Sequence, residues 1–312
     1  MSSNKTASKL HPRNKHRDGY DLDALQRVCP ELTPFIKPSK SGHNTIDFSN
    51  PKAVKALNRS LLFHSFGLKY WDFPDNNLCP PIPGREDYIH YAADLLEEIT
   101  GANPNNSQIT CLDIGTGASC IYPMLGVQLY NWMFIASDID RASISSSETI
   151  AQHNPSLEGK IDFRLQQNSN NIFKGVIHEN EKITLTVCNP PFHASIEEAQ
   201  KGTLRKIKNL TGGKSKKRTL NFSGRENELV YPGGELSFIL KMIDESIHLS
   251  ESTLLFTTLV SKESNLKPIL QELRRIKVKG SWTVPMQTGN KSTRIVGWTF
   301  QSAKQRKAWI MQ

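Results

Sequence analysis

From residue 109 onward the chain alternates short apolar runs with segments of helix length, and nothing else in it constrains the fold as tightly. A short apolar run makes a strand buried on both faces, and the segments between runs supply the helices that cover it. The predicted strands cover residues 109–114, 133–137, 161–165, 183–188, 253–260, 277–284 and 294–300. The last two flank a turn region around Gly289 with no helix between them, which predicts an antiparallel hairpin at the sheet edge. The expectation is α/β: a mostly parallel seven-stranded sheet with one terminal strand reversed.

Ahead of the sheet the pattern changes. Residues 1–17 are basic and acid-free and read as a flexible arm, and residues 18–105 read as a smaller, mainly helical region. Within it Asn50 is a candidate N-cap with Pro51 at the first helical position of a run reaching Leu62, and residues 88–99 repeat the periodicity. The proline-rich stretch 76–84 between them reads as an extended connector. The sheet-forming domain then spans 106–312.

Composition narrows the class. With 312 residues, 37% of them hydrophobic, the chain buries a full core. The five cysteines are odd in number and form no CxxC pair, which argues against a disulfide framework and a structural zinc site and for a reducing, cytoplasmic setting. No metal and no membrane partner is expected, since no apolar stretch is long enough to span a bilayer. The formal net charge of +9 is unevenly spread. Arg13, Lys15 and Arg17 fall in the first acid-free segment; Lys201, Arg205, Lys206, Lys214, Lys216, Lys217 and Arg218 fall in a second, the basic loop 201–218. Such segments suit phosphate contacts, although a lone charge run is as readily a solvated face.

Two strand ends carry the chemistry. The first predicted strand runs into Asp113, Gly115, Gly117 and Ser119, a turn whose glycines let backbone approach a ligand where open α/β sheets bind one. A dinucleotide loop wants Gly or Ala where Cys120 stands, so a pyrophosphate ligand is disfavoured. The acid Asp113 instead suits a cofactor bearing an ammonium and a sulfonium, which points to S-adenosylmethionine. Asp138, at the end of the next strand and preferred over Asp140, has the spacing of a ribose-binding acid.

The fourth strand stops at Asn189-Pro190-Pro191-Phe192. Taken by themselves, such dipeptides are also ordinary turn punctuation. Their chemistry asks for more. An aromatic amine such as adenine N6 is a poor nucleophile until acceptors hold its hydrogens, and the Asn189 side-chain oxygen and Pro190 carbonyl are two such acceptors. Consecutive prolines aim them in advance, and Phe192 offers a stacking face worth about 1–3 kcal/mol per base. The same logic serves a cytosine N4 or a glutamine amide; the basic run shortly downstream favours a nucleic acid. Cys188, ending a buried strand, reads as core.

His11-Pro12-Arg13-Asn14, the segment Pro80 to His90, Leu112 to Ala118, Cys120 to Pro123, Cys188 to His193, and Gly233-Gly234-Glu235 together resemble the bacterial large-subunit ribosomal RNA methyltransferase F family, related to the eukaryotic methyltransferase-like protein 16. The resemblance implies a Rossmann-like class I fold and N6-methylation of one adenine of 23S ribosomal RNA, adenine 1618 in the family, on the RNA or on a large-subunit assembly intermediate. It implies a basic N-terminal region on RNA and a place beside the cofactor for Arg85, which the residues alone make a loop charge. In the eukaryotic relative a longer acid stands where Asp138 is. The rivals are a protein glutamine N5-methyltransferase and a catalytically silent RNA-binding module.

Overall fold

The computed structural model describes residues 10–39, 42–198, 229–288 and 291–309. The first part holds α1 (Leu22–Val28), a small antiparallel pair β1 (Ile36–Pro38) and β2 (Asn44–Ile46), α2 (Pro51–Phe66) and α3 (Ile82–Thr100). There follow β3 (Thr110–Ile114), α4 (Ile121–Tyr130), β4 (Met133–Asp138), α5 (Arg141–Gln152), β5 (Ile161–Leu165) and β6 (Ile183–Cys188). The chain closes with α6 (Gly234–Ser246), β7 (Thr253–Val260), α7 (Leu266–Arg275), β8 (Gly280–Thr288), β9 (Lys291–Thr299) and α8 (Ala303–Trp309).

Seven strands form one sheet in the order β5-β4-β3-β6-β7-β9-β8, with β5 through β7 parallel and β9 antiparallel to both neighbours. The chain starts in the centre at β3, builds outward through β4 and β5, then returns to the other side of β3 with β6. Crossovers diverge there, so the carboxyl ends of β3 and β6 open into a crevice. The hairpin is present, but the reversed strand is not terminal: β9 lies inside and β8 forms the edge. Burial explains the order. Residues 294–299 of β9 are buried throughout, as a strand with neighbours on both sides requires, whereas β8 alternates exposed and half-buried positions along 281–285.

α2 begins as its sequence signals, with the Asn50 side chain accepting from the Lys52 amide and Pro51 at the first position, and it stops at Gly67 with φ 68°. The connector expected over 76–84 is shorter than that. α3 already starts at Ile82, because Pro83 sits in the first turn, where a helix needs no amide donor. Arg85 is consequently a helix residue and not a loop charge.

The flexible arm is also corrected for residues 10–17. His11, Asn14 and His16 are buried against α3. The His11 amide (3.0 Å) and Asn14 side-chain amide (2.6 Å) donate to Asp87, the Lys15 amide donates to Glu86 (2.9 Å), and Asn14 also reaches the Pro83 carbonyl (2.8 Å). Glu86 and Asp87 have no exposure at all; His90 on the same helix reaches Glu86 (3.3 Å), and the segment 11–15 brings the remaining donors these two buried acids need. One apolar cluster runs from Leu25 and Leu61 through Trp71, Tyr88 and Leu95 to Leu185 and Leu255, so the N-terminal helices and the sheet share a core.

Candidate active site

A cleft of about 550 Å³ occupies the crevice beyond β3 and β6. Its floor is the turn after β3. Gly115 and Gly117 have φ values of 75° and 65°, which L side chains rarely adopt, and a Cβ at Gly115 would meet nothing within 4 Å; backbone conformation, not crowding, demands glycine there. The amides of Gly115 and Thr116 both donate to the Ser137 carbonyl (2.9 Å each), lashing the turn to β4. Asp138 at the end of β4 accepts from the Gly117 amide (2.9 Å) and the Asp140 amide (2.8 Å). Its carboxylate therefore shapes the turn while facing the cleft.

The cleft walls bring together Arg85, Gly115, Gly117, Ser119, Asp138, Asn189 and Pro191 from the sequence-derived set. Asp113 lies beneath, fully buried, and its carboxylate has no donor among the described residues beyond the nearby Thr116 hydroxyl. Burial, reinforced by the charge of Asp138, pushes its carboxyl up to about 7; the Thr116 hydroxyl and the Arg85 guanidinium oppose the shift. Pro190 is buried behind the wall and Phe192 is half-buried; neither lines the cleft.

Asn189 is placed by strand register. Cys188 pairs with Ile114, so the residue after β6 stands beside the turn after β3. Its side-chain oxygen is buried and has no donor among the described residues. His193, the residue after the tetrapeptide, is tied to the stretch preceding α6: its amide donates to the Leu229 carbonyl and its carbonyl accepts from the Tyr231 amide, each at 3.0 Å. Gly233 and Gly234, with φ 80° and 69°, turn that stretch into α6. Glu235 is buried and accepts from the Ser261 and Lys262 amides and the Asn265 side chain, joining α6 to the end of β7. Its role exceeds that of a first-turn acid facing a helix dipole.

Sequence reasoning missed Tyr122, Tyr231 and Phe238. Tyr122 lines the cleft with its hydroxyl buried and unpaired among the described residues, and its ring lies 5.8 Å from the Arg85 guanidinium carbon. Burial raises its phenol, with Arg85 opposing. Tyr231 and Phe238 face the cleft as an edge-to-face pair, centroids 5.2 Å apart. Tyr122 stood in the Cys-Ile-Tyr-Pro motif as a signal without an assigned role; Tyr231 had none. Burial raises the thiols of Cys120 and Cys188, so neither is a poised nucleophile, which agrees with reading Cys188 as core.

The basic residues divide. Arg13 pairs with Asp94 and donates to the His90 carbonyl (3.2 Å); Lys15 donates to the Ser65 carbonyl (2.6 Å) over the Phe66 ring; Arg17 donates to the Pro12 carbonyl (3.2 Å). Lys201, Arg205, Lys206, Lys214, Lys216, Lys217 and Arg218 lie outside the described residues. Among the described residues no group of three or more His, Cys, Asp or Glu could hold a metal ion, and no helix is long and apolar enough to cross a membrane.

Residues 4–302 match a family model described as RNA methyltransferase. The chain is 48% identical to ribosomal RNA large subunit methyltransferase F of Shewanella loihica, covering 96% of this chain and 81% of that protein. With the protein of the same name from Shewanella putrefaciens it shares 49% identity over 96% of this chain and 85% of that one. Among solved structures it superposes on the human METTL16 catalytic domain in complex with a MAT2A 3′UTR hairpin with TM-score 0.78 and 28% identity, covering 94% and 96% of the two chains. The N-terminal domain of human METTL16 in complex with SAH gives TM-score 0.74 and 26% identity over 94% and 99%. The fold is thus the Rossmann-like class I methyltransferase fold. The chain belongs to the ribosomal RNA large subunit methyltransferase F family of RNA methyltransferases.

Proposed function

We propose that the cleft binds S-adenosylmethionine and that the chain uses it to methylate the exocyclic N6 of one adenine in 23S ribosomal RNA, adenine 1618 by the family resemblance. Naked RNA or a cytoplasmic large-subunit assembly intermediate carries that adenine. One observation supports this reading above all. The buried polar atoms of Tyr122 and Asn189 lack partners among the described residues, those of Asp113 and Thr116 have at most each other, and all gather where β3 and β6 end. Buried groups left unpaired cost about 1–3 kcal/mol each, so such a concentration calls for a polar ligand.

The donor set fits the zwitterionic end of that cofactor. Arg85 and the Tyr122 hydroxyl suit a carboxylate, and Asp113 suits an ammonium. The Gly115 to Gly117 turn, with Ser119 beside it, allows close approach, and Asp138 suits ribose hydroxyls. Bound there, the sulfonium supplies an electrophilic methyl group. The protein prepares the acceptor: the Asn189 oxygen holds an amine hydrogen and Pro191, beside it in the cleft wall, fixes its direction, while the Pro190 carbonyl and the Phe192 ring, which do not line the cofactor cleft, meet the extruded base beyond it. The basic segments, Arg13 to Arg17 and Lys201 to Arg218, hold flanking phosphates.

The test is methyl transfer from labelled S-adenosylmethionine to RNA of a strain deleted for the enzyme, with the product nucleoside identified after digestion. N6-methyladenosine at one site is expected; label in protein alone would replace this reading with glutamine N5-methylation. Asn189→Ala should lower turnover on the order of 10²–10³-fold while S-adenosylhomocysteine affinity stays nearly constant, since the side chain it removes acts on the amine. Retained turnover would reject the role given to Asn189. A chain that binds no S-adenosylmethionine in calorimetry would be a silent RNA-binding module.

A further inference from the structure

We propose that Tyr88 is a positioning residue for Asn189, acting through a hydroxyl wedged between the ends of β6 and β7. The inference rests on the methyl-transfer reading for its catalytic consequence and on geometry for everything else. β6 and β7 keep a parallel register at Ile183 with Thr253 and at Leu185 with Leu255, and no further. Past that point side chains take over. The Thr257 amide donates to the Thr186 hydroxyl (3.1 Å), and the Thr257 hydroxyl donates to the Thr186 carbonyl (2.5 Å). That commits the single Thr257 hydroxyl proton, so in the 2.8 Å contact between Tyr88 and Thr257 the phenol is the donor. The Tyr88 oxygen in turn accepts from the Cys188 amide at 3.1 Å.

A chain of four groups therefore runs from the last amide of β6, through Tyr88 and Thr257, back to the Thr186 carbonyl. Tyr88, Thr186 and Thr257 have no exposure and Cys188 almost none, so water cannot stand in for a missing link. The Cys188 amide immediately precedes the Asn189 backbone, and its hydrogen bond sets how far β6 splays from β7 and where the tetrapeptide begins. The ring of Tyr88 is itself fixed edge-on against Tyr122, centroids 5.4 Å apart, and Tyr122 carries the cleft-facing hydroxyl beside Arg85. Tyr88 thus keys α3, α4 and β6 to one another three residues along the helix from Arg85. A purely space-filling role would be served equally by phenylalanine; the hydroxyl is needed for direction.

Two readouts test the claim on the full-length protein: hydrogen exchange at the Cys188 amide, and turnover with S-adenosylhomocysteine affinity measured alongside. Tyr88→Phe should speed Cys188 exchange at least tenfold and lower kcat roughly tenfold or more, with S-adenosylhomocysteine affinity and KM for RNA within about threefold of wild type. Thr257→Val, which removes the acceptor of the phenol, should behave likewise, and Thr257→Ser, which restores it, should recover wild-type kcat. If Tyr88→Phe does not fold, the Thr257 pair carries the same readings. Unchanged exchange at Cys188, kcat within threefold of wild type, or a kcat loss matched by loss of cofactor affinity each overturns the positioning role. A wild-type protein that moves no methyl to RNA overturns the methyl-transfer reading instead, and the exchange result then stands or falls separately.

Discussion

In the proposed site, Asp113 sits where binding and stability pull in opposite directions. Its carboxyl, raised from an ordinary 3.8 to about 7 by burial, keeps a proton in the folded apo protein over a range where the unfolded chain has lost it. The folded state therefore loses stability progressively as pH rises from about 4 to 7, and the loss is complete above 7. A ligand ammonium reverses this, because it needs the ionised form. Affinity for S-adenosylhomocysteine should strengthen as pH rises through about 7, with one proton released per ligand bound below that point, as calorimetry in buffers of different ionisation heat will show. Asp113→Asn should melt higher than wild type at pH 8 and lose the pH dependence together with most of the affinity. A variant that binds as wild type does at every pH would remove Asp113 from the ligand's surroundings. The sequence offers the carboxylate as a candidate site residue; its burial was not legible there, since that depends on β4 and β6 pairing on either side of it.

Among the elements, α3 shows how local signals and distant contacts divide the work. Its periodicity over 88–99 is plain in sequence, yet its start at Ile82 was obscured by prolines that a first helical turn tolerates. Residues 1–17 read in sequence as a flexible arm because they are basic and acid-free; of these, residues 10–17 are held in place. They are held by Glu86 and Asp87, some seventy residues away, whose buried carboxylates accept from the His11 and Lys15 amides and the Asn14 side chain. Asn14→Ala should therefore cost about 1–3 kcal/mol in urea denaturation, since it strips a buried acid of a donor. A change under 0.5 kcal/mol, the scale of an ordinary surface substitution, would return the segment to a loosely held arm. The edge hairpin divides similarly: two strands and a turn were visible, but their order was decided by which of the two could be buried on both faces.

For the molecule as a whole, the surplus of positive charge gives binding that salt should weaken. Replacing Lys214, Lys216, Lys217 and Arg218 together with glutamine should lower RNA affinity and flatten the slope of log affinity against log salt by about 0.7 for each phosphate no longer neutralised. An unchanged slope would make that run a solvated surface. The alternation of apolar runs, the glycine turn after the first of them and the Asn-Pro-Pro-Phe corner after the fourth were all set by the chain locally, because strand burial, positive φ and proline stiffness act over a few residues. Tertiary structure alone decided that the two corners stand side by side, that Tyr122 and Arg85 join them, and that a tyrosine hydroxyl from a helix bridges Cys188 and Thr257. Those facts depend on strand order and on contacts between residues up to 169 apart, and no pattern within a short window carries that distance.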